Sequence, residues 1–112
     1  MAFSRQLLWS LTRYTVHNKV RGQKRFPFVL MLEPTLRCNL ACAGCGRIRE
    51  LQECTTPSLT LDECLAAVDE SGAPIISITG GEPLLHPDIV PLVEQILARQ
   101  RGITLCTNGL LL

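Results

Sequence analysis

The sequence predicts an α/β fold in which parallel strands alternate with helices. Three short apolar segments have the character of buried strands, and two segments of helical periodicity separate them. This alternation is typical of parallel sheets with right-handed crossovers. Apolar residues make up 46% of the 112-residue chain and charged residues 19%, against about 25% charged in an average soluble domain. The composition excludes intrinsic disorder and suits strands that are buried on both faces.

The first strand and the first core helix are predicted from local signals. Residues 26–33 are short and mostly apolar, and Pro34 ends the segment, so they are expected to form a strand. Thr60 and Glu63 form a capping box, which predicts a helix over 61–72.

The second half of the chain repeats this pattern. A strand is expected at 75–79 and another at 103–107. Between them, Asp88 is expected to cap a helix with Pro91 in its first turn, and Gly102 is expected to end it. The apolar face of this helix comprises Ile89, Leu92, Val93, Ile96 and Leu97.

Residues 1–25 are expected to form a basic amphipathic segment, separate from the α/β core at 26–112. The segment carries six Lys or Arg and no acid, so its charge is +6, while the remainder is −5. A helix is expected over 3–16, with an apolar stripe of Phe3, Leu7, Leu8, Leu11 and Tyr14. Two interpretations stay open: a helix packed on the core, and an interfacial helix on anionic lipid. A nucleic-acid arm is less favoured because the segment is rich in Leu and carries a Trp, so no nucleic-acid partner is expected.

The lack of a targeting signal and the clustering of the cysteines favour a reducing compartment. No apolar stretch is long enough for a membrane span, and no secretory signal is expected. Three of the six cysteines lie within eight residues, which suits a metal site better than a disulfide framework. We therefore expect a cytoplasmic protein that is peripheral at the membrane if the basic helix binds lipid. Because no helix covers the third strand, the chain is expected to be the first part of a longer β/α protein.

Three unusual motifs follow the three predicted strands. They are the cysteine loop, the Gly80–Pro83 turn and the turn at Thr107–Asn108. In parallel sheets the carboxyl ends of the strands meet at one edge, where ligands bind. The motifs are therefore expected to form one site.

The strongest of these motifs is the C-x3-C-x2-C spacing of Cys38, Cys42 and Cys45. Three thiolates on a short loop can hold a four-iron cluster and leave one iron open for a small molecule. The alternative is a zinc site that takes a fourth ligand from elsewhere, although zinc sites more often use paired C-x2-C units.

The spacing, together with the Glu33–Arg37 segment before it and the Gly80–Pro83 turn after it, resembles the radical S-adenosylmethionine (SAM) superfamily. The resemblance implies a partial (β/α)6 barrel, truncated here after its third strand. It implies that Cys38, Cys42 and Cys45 hold a 4Fe–4S cluster whose open iron binds SAM. The reduced cluster then cleaves SAM to methionine and a 5′-deoxyadenosyl radical, with an electron from a low-potential donor such as flavodoxin or ferredoxin.

The resemblance also assigns residues to SAM binding. The turn formed by Gly80, Gly81, Glu82 and Pro83 is expected to accept hydrogen bonds from the SAM ammonium group through its carbonyls and the Glu82 carboxylate. Thr107 and Asn108 are expected to meet the ribose or carboxylate of SAM. Gly44 is expected to offer its backbone to adenine, although the family usually has an aromatic residue there.

Four stretches resemble more closely the hopanoid-biosynthesis family of radical SAM transferases, the adenosylhopane synthases. The stretches are 30–34, 38–46, 80–87 and 105–108. This implies that the deoxyadenosyl radical adds to the alkene of diploptene.

Alternation along the strands places Cys106 in the barrel lumen. We hypothesise that its thiol donates a hydrogen atom to the product radical; the alternative is a small core residue. Other open functions are a radical SAM enzyme for another small molecule or a peptide, and an inactive iron–sulfur fragment.

Overall fold

The computed structural model describes residues 4–46, 53, 55 and 58–112. Phe3, Cys54 and part of the loop after the cysteines lie outside the described residues. The elements are α1 (Arg5–Val20), β1 (Val29–Leu32), α2 (Leu61–Ser71), β2 (Ile75–Ile78), α3 (Ile89–Ala98) and β3 (Gly102–Leu105). A short 3-10 helix, Pro83–Leu85, lies between β2 and α3.

The strands of the described chain form one parallel sheet in the order β1-β2-β3. Leu30 lies opposite Ile76, and Ile76 lies opposite Ile103. These residues point to the same face of the sheet, and α2 and α3 pack against it. The buried core comprises Leu32, Cys64, Val68, Ile76, Ile78, Leu92 and Ile96. The predicted α/β class with parallel strands is confirmed, and Cys64 is a core residue.

The start of α2 agrees with its local signal. Glu63 N–H donates to the Thr60 hydroxyl at 3.2 Å, and Thr60 N–H donates to the Glu63 carboxylate at 2.8 Å. Both bonds of the predicted capping box are therefore present.

The predicted start of α3 is confirmed, with Asp88 at the N-cap and Pro91 in the first turn, but its predicted end was wrong. Asp88 occupies the N-cap position, but its side chain makes no capping hydrogen bond. The helix ends at Ala98, and Gln100, with φ of 58°, makes the left-handed turn expected of Gly102. Gly102 instead begins β3, where an added Cβ would lie 2.9 Å from a methyl of Leu7 on α1. The glycine therefore accommodates a neighbouring helix rather than a helix end.

Helix α1 packs at the amino ends of the strands. Leu7 approaches Gly102, and the Tyr14 hydroxyl donates to the carbonyl of Pro27 at 2.6 Å. The Tyr14 ring also stands edge-on to Phe26, with centroids 5.6 Å apart. This helix is four residues longer at its carboxyl end than the sequence predicts, since it continues to Val20. Among the described residues, no helix is both long and apolar enough to cross a bilayer.

Candidate functional site

The three clustered cysteines lie on the loop that follows β1. Cys38, Cys42 and Cys45 are exposed free thiols. The Cys45 N–H donates to the Cys42 carbonyl at 3.2 Å, so the last two cysteines flank a tight turn. Within the described residues, no three His, Cys, Asp or Glu side chains are gathered as a metal site. The three thiols therefore share one loop, but within the described residues they are not gathered around a common centre.

Gly44 occupies that turn with φ of 78°. This left-handed conformation strains any side chain other than glycine. The backbone conformation therefore favours glycine at position 44. Its expected contact with adenine stays a prediction.

The Gly80–Gly81 turn binds the start of the cysteine loop through its backbone. Gly81 N–H donates to the Thr35 carbonyl at 3.0 Å, and Glu82 N–H donates to the Arg37 carbonyl at 2.7 Å. A Cβ on Gly80 would lie 2.5 Å from the Thr35 oxygen, and one on Gly81 would overlap the Arg37 carbonyl. Both glycines are therefore required by the close approach of the two backbones.

Glu82 is fully buried, and its carboxylate joins the ends of β2 and β3. One carboxylate oxygen accepts the Thr107 hydroxyl at 2.7 Å and the Leu84 N–H at 3.1 Å. The other accepts the Asn108 N–H at 2.8 Å. The carboxylate thus faces the protein interior, whereas we expected it to face the SAM ammonium group. Pro83 is buried beside it and begins the 3-10 helix.

Asn108 extends this network to the cysteine loop. Its side-chain amide donates to the Asn39 side-chain oxygen at 2.7 Å, and Asn39 directly follows Cys38. The carboxylate, the turn after β3 and the cysteine loop therefore form one hydrogen-bonded unit. A role for Asn39 is not predicted from the sequence, where its position next to Cys38 is the one available signal. The expected contacts of Thr107 and Asn108 with SAM stay predictions.

The environment of Glu82 favours its charged form. Burial raises the pKa of Glu82, but hydrogen bonds from Thr107, Asn108 and Leu84 outweigh it, and the pKa lies below its ordinary value. A lowered folded-state pKa means that the carboxylate stabilises the fold above the unfolded pKa of about 4.3. That stabilisation is lost as the pH falls through the lower, folded-state pKa.

Glu82→Gln is expected to lower the free energy of unfolding at neutral pH by about 1.5–3 kcal/mol, because an amide cannot accept all three bonds. The difference from the unmodified protein should shrink as the pH is lowered below about 4. Denaturant unfolding across this pH range measures both effects. Glu94→Gln, at an exposed position on α3, is the matched control. An equally large loss in that control, or a loss for Glu82→Gln that does not depend on pH, would contradict the role of the buried carboxylate.

Cys106 lies just beyond β3, on the side of the sheet away from the helices. Its N–H donates to the Ile78 carbonyl at 2.9 Å, and its thiol is exposed. Ser77 and Thr104 lie opposite each other in the register, and alternation puts Thr104 on the same face as Cys106. The face is the one expected to become the barrel lumen. Its role as a hydrogen-atom donor stays a prediction.

His86, for which the sequence predicts no role, stabilises the local structure. One ring nitrogen of His86 accepts the Asp88 N–H at 3.1 Å, so the other carries the proton and donates to the Leu59 carbonyl at 2.6 Å. The ring therefore ties the entry of α3 to the segment before α2.

This combination of a parallel α/β sheet, a three-cysteine loop and a glycine turn at one sheet edge defines an iron–sulfur protein of the SAM-dependent class. Residues 32–112 match the Radical SAM superfamily, and the chain belongs to that family. Its cofactors are a 4Fe–4S cluster and S-adenosylmethionine. No solved structure matches the chain.

Relatives with several different activities share this segment. The chain is 33% identical over 108 residues to GTP 3′,8-cyclase of Streptomyces coelicolor, a match that covers 90% of the chain and 32% of the relative. It is 37% identical over 76 residues to 7-carboxy-7-deazaguanine synthase of Halobacterium salinarum, covering 67% and 30%. It is 35% identical over 89 residues to AdoMet-dependent heme synthase of Methanosarcina barkeri, covering 77% and 25%. The chain thus spans a third or less of the length of these curated relatives.

The donor groups at the site fit the family's cofactors. Cys38, Cys42 and Cys45 are free thiols exposed on one loop, and thiolates are the usual ligands of iron–sulfur clusters. Beside the glycine turn, the Thr79 hydroxyl is buried and has no hydrogen-bond partner among the described residues. An unpaired buried hydroxyl costs about 1–3 kcal/mol, so this position suits a polar ligand such as SAM.

Proposed function

We propose that this chain forms the SAM-binding end of an enzyme that starts radical chemistry on a small molecule. The hydrogen-bonded unit that joins the glycine turn, Glu82, Asn108 and Asn39 carries the proposal, because it holds the cysteine loop against the strand ends. When bound, the reduced cluster would break a carbon–sulfur bond of SAM, and this would supply a carbon radical.

The chain's own residues have distinct tasks in this proposal. Cys38, Cys42 and Cys45 ligate three irons. Gly80 and Gly81 keep the turn close to the loop and offer backbone carbonyls to the SAM ammonium group. Glu82 orients Thr107 and Asn108 for the ribose or carboxylate of SAM. A low-potential flavodoxin or ferredoxin is the proposed electron donor.

The relatives favour a substrate other than a hopanoid. Of eight relatives that match the chain, six are named GTP 3′,8-cyclase or probable GTP 3′,8-cyclase, and none of the eight is named as a hopanoid enzyme. A nucleotide or another small metabolite is therefore the first candidate substrate. The hopanoid alkene is the second, and it rests on the four sequence stretches given above.

The discriminating experiment uses protein reconstituted with iron and sulfide and reduced under anaerobic conditions. It is incubated with SAM and either GTP or diploptene, and 5′-deoxyadenosine and modified substrate are measured by mass spectrometry. Modified GTP supports the first candidate, and adenosylhopane supports the second. A fully loaded protein that forms neither 5′-deoxyadenosine nor modified substrate would contradict a radical SAM activity and leave the inactive fragment.

For the alkene candidate, we expect Cys106 to quench the product radical. The thiol gives a hydrogen atom to the substrate carbon, and the resulting sulfur radical takes up one electron and one proton from the reducing system. Cys106→Ala is therefore expected to lose adenosylhopane or change its isomer ratio while 5′-deoxyadenosine still forms, as chromatography of the products would measure. An unchanged rate and isomer ratio would leave Cys106 without this role.

A further inference from the structure

Helix α1 has an outer face that no other part of the described chain covers. Its inner face carries Leu7 and Tyr14, which contact the amino end of the sheet. The outer face exposes apolar side chains to a large extent: Leu8 50%, Trp9 70%, Val16 54% and Val20 80%. Packing on the core therefore does not account for these four residues.

Basic side chains share the outer face. With about 3.6 residues per turn, Arg5, Arg13 and Lys19 fall within the same arc as Trp9 and Val16. All three are exposed, and α1 contains no Asp or Glu. The outer face is thus apolar and cationic at once.

We propose that the outer face of α1, defined by Leu8, Trp9, Val16, Val20, Arg5, Arg13 and Lys19, binds the surface of a membrane that contains anionic lipid. In this geometry the helix lies parallel to the membrane plane. The apolar side chains enter the boundary between headgroups and acyl chains, while the basic side chains meet lipid phosphates. This inference is independent of the substrate under the proposed function.

The chemistry of the face favours lipid over other anionic partners. A nucleic acid would neutralise the basic residues and stack its bases on Trp9, but it would leave the aliphatic Val16 and Val20 in water. Lipid satisfies both kinds of side chain, because its charged headgroups lie directly above an apolar layer. Since α1 packs at the amino ends of the strands, the cysteine loop lies at the opposite end of the sheet.

The test uses the cluster-loaded protein and vesicles of phosphatidylcholine, alone or mixed with phosphatidylglycerol. The protein is expected to sediment with the mixed vesicles, and less so as salt is raised. Trp9 is the single tryptophan of this chain, and its fluorescence should shift to the blue when those vesicles are added.

Paired variants separate charge from apolar contact. Arg5→Gln with Arg13→Gln is expected to weaken binding on the order of 25-fold, at about fivefold per basic residue. Arg5→Lys with Arg13→Lys should keep the binding, because the charge is retained. Val20→Ser should weaken it severalfold, whereas Val90→Ser, at a 63% exposed position on α3, should not.

Five results would overturn the proposal. Equal binding to neutral and mixed vesicles, or no binding to either, would remove the role of anionic lipid. Trp9 emission that is already blue-shifted and protected from iodide without vesicles would mean that the protein itself covers the face. A dimer that Trp9→Ala converts to a monomer would assign the face to a second copy. Tighter binding to RNA than to the mixed vesicles would assign it to nucleic acid.

Discussion

Iron binding is expected to be lost when any one of Cys38, Cys42 and Cys45 is replaced by alanine. In the proposed assignment each thiolate ligates one iron, so a variant with two thiolates is expected to lose the four-iron cluster. Iron and acid-labile sulfide in the reconstituted protein should fall to background, together with the visible absorption of the cluster. SAM binding, measured by equilibrium dialysis, should fall with them.

Cys106→Ala is the matched control for iron content, because Cys106 is also an exposed free thiol at the same sheet edge. It should retain iron and sulfide in full. Since the three loop cysteines are exposed, their alanine variants should change the stability of the iron-free protein by no more than about 0.5 kcal/mol. Full iron content in any loop variant, or zinc in place of iron in the unmodified protein, would refute the assignment.

Gly81→Ala is expected to detach the glycine turn from the cysteine loop. The added Cβ would overlap the carbonyl oxygens of Leu36 and Arg37, which are backbone atoms and cannot rotate away. Overpacking of this kind costs about 1–3 kcal/mol, and each lost backbone hydrogen bond costs about 1 kcal/mol more. Denaturant unfolding should therefore show a loss of about 3 kcal/mol or more, and SAM affinity should fall in parallel.

Gly46→Ala is the control, since a Cβ at Gly46 meets no atom of the described residues within 4 Å and the φ of Gly46 is not positive. It lies on the same loop and receives the same methyl group, so its unfolding curve should overlay that of the unmodified protein. Similar losses in the two variants would show that the loop tolerates no added methyl group. Unchanged stability in Gly81→Ala would mean that the turn and the loop are not in contact in solution.

Local sequence signals predicted those elements whose partners lie nearby in the chain. The capping box at Thr60 and Glu63 is complete within four residues, and the helix it predicts was found. The same approach was wrong at Gly102. Gly102 is needed there because Leu7 packs against it, and Leu7 lies ninety-five residues earlier in the chain.

In the candidate site, too, some features were predictable from local signals and others were not. The cysteine spacing and the order of strands and helices predicted which loops meet at one edge. The orientation of the Glu82 carboxylate was not predictable, because it depends on donors from Thr107 and Asn108 that only the finished sheet brings within 3 Å. Asn39 was missed for the same reason, since its partner Asn108 is sixty-nine residues away.

The alternation of strands and helices and the radical SAM superfamily were predictable from the amino-acid sequence, because periodicity and ligand spacing are local properties of the chain. The exposure of Leu8 and Leu97, both expected on apolar faces, was not predictable in this way. Packing between segments that are distant in the chain fixes where the polar groups of the site point and which face of α1 remains exposed. A buried carboxylate takes the direction in which hydrogen-bond donors offset its desolvation. A helix with apolar residues on two sides buries the side that fits the sheet, and the packing of Leu7 and Tyr14 leaves Trp9 and Val20 facing outward.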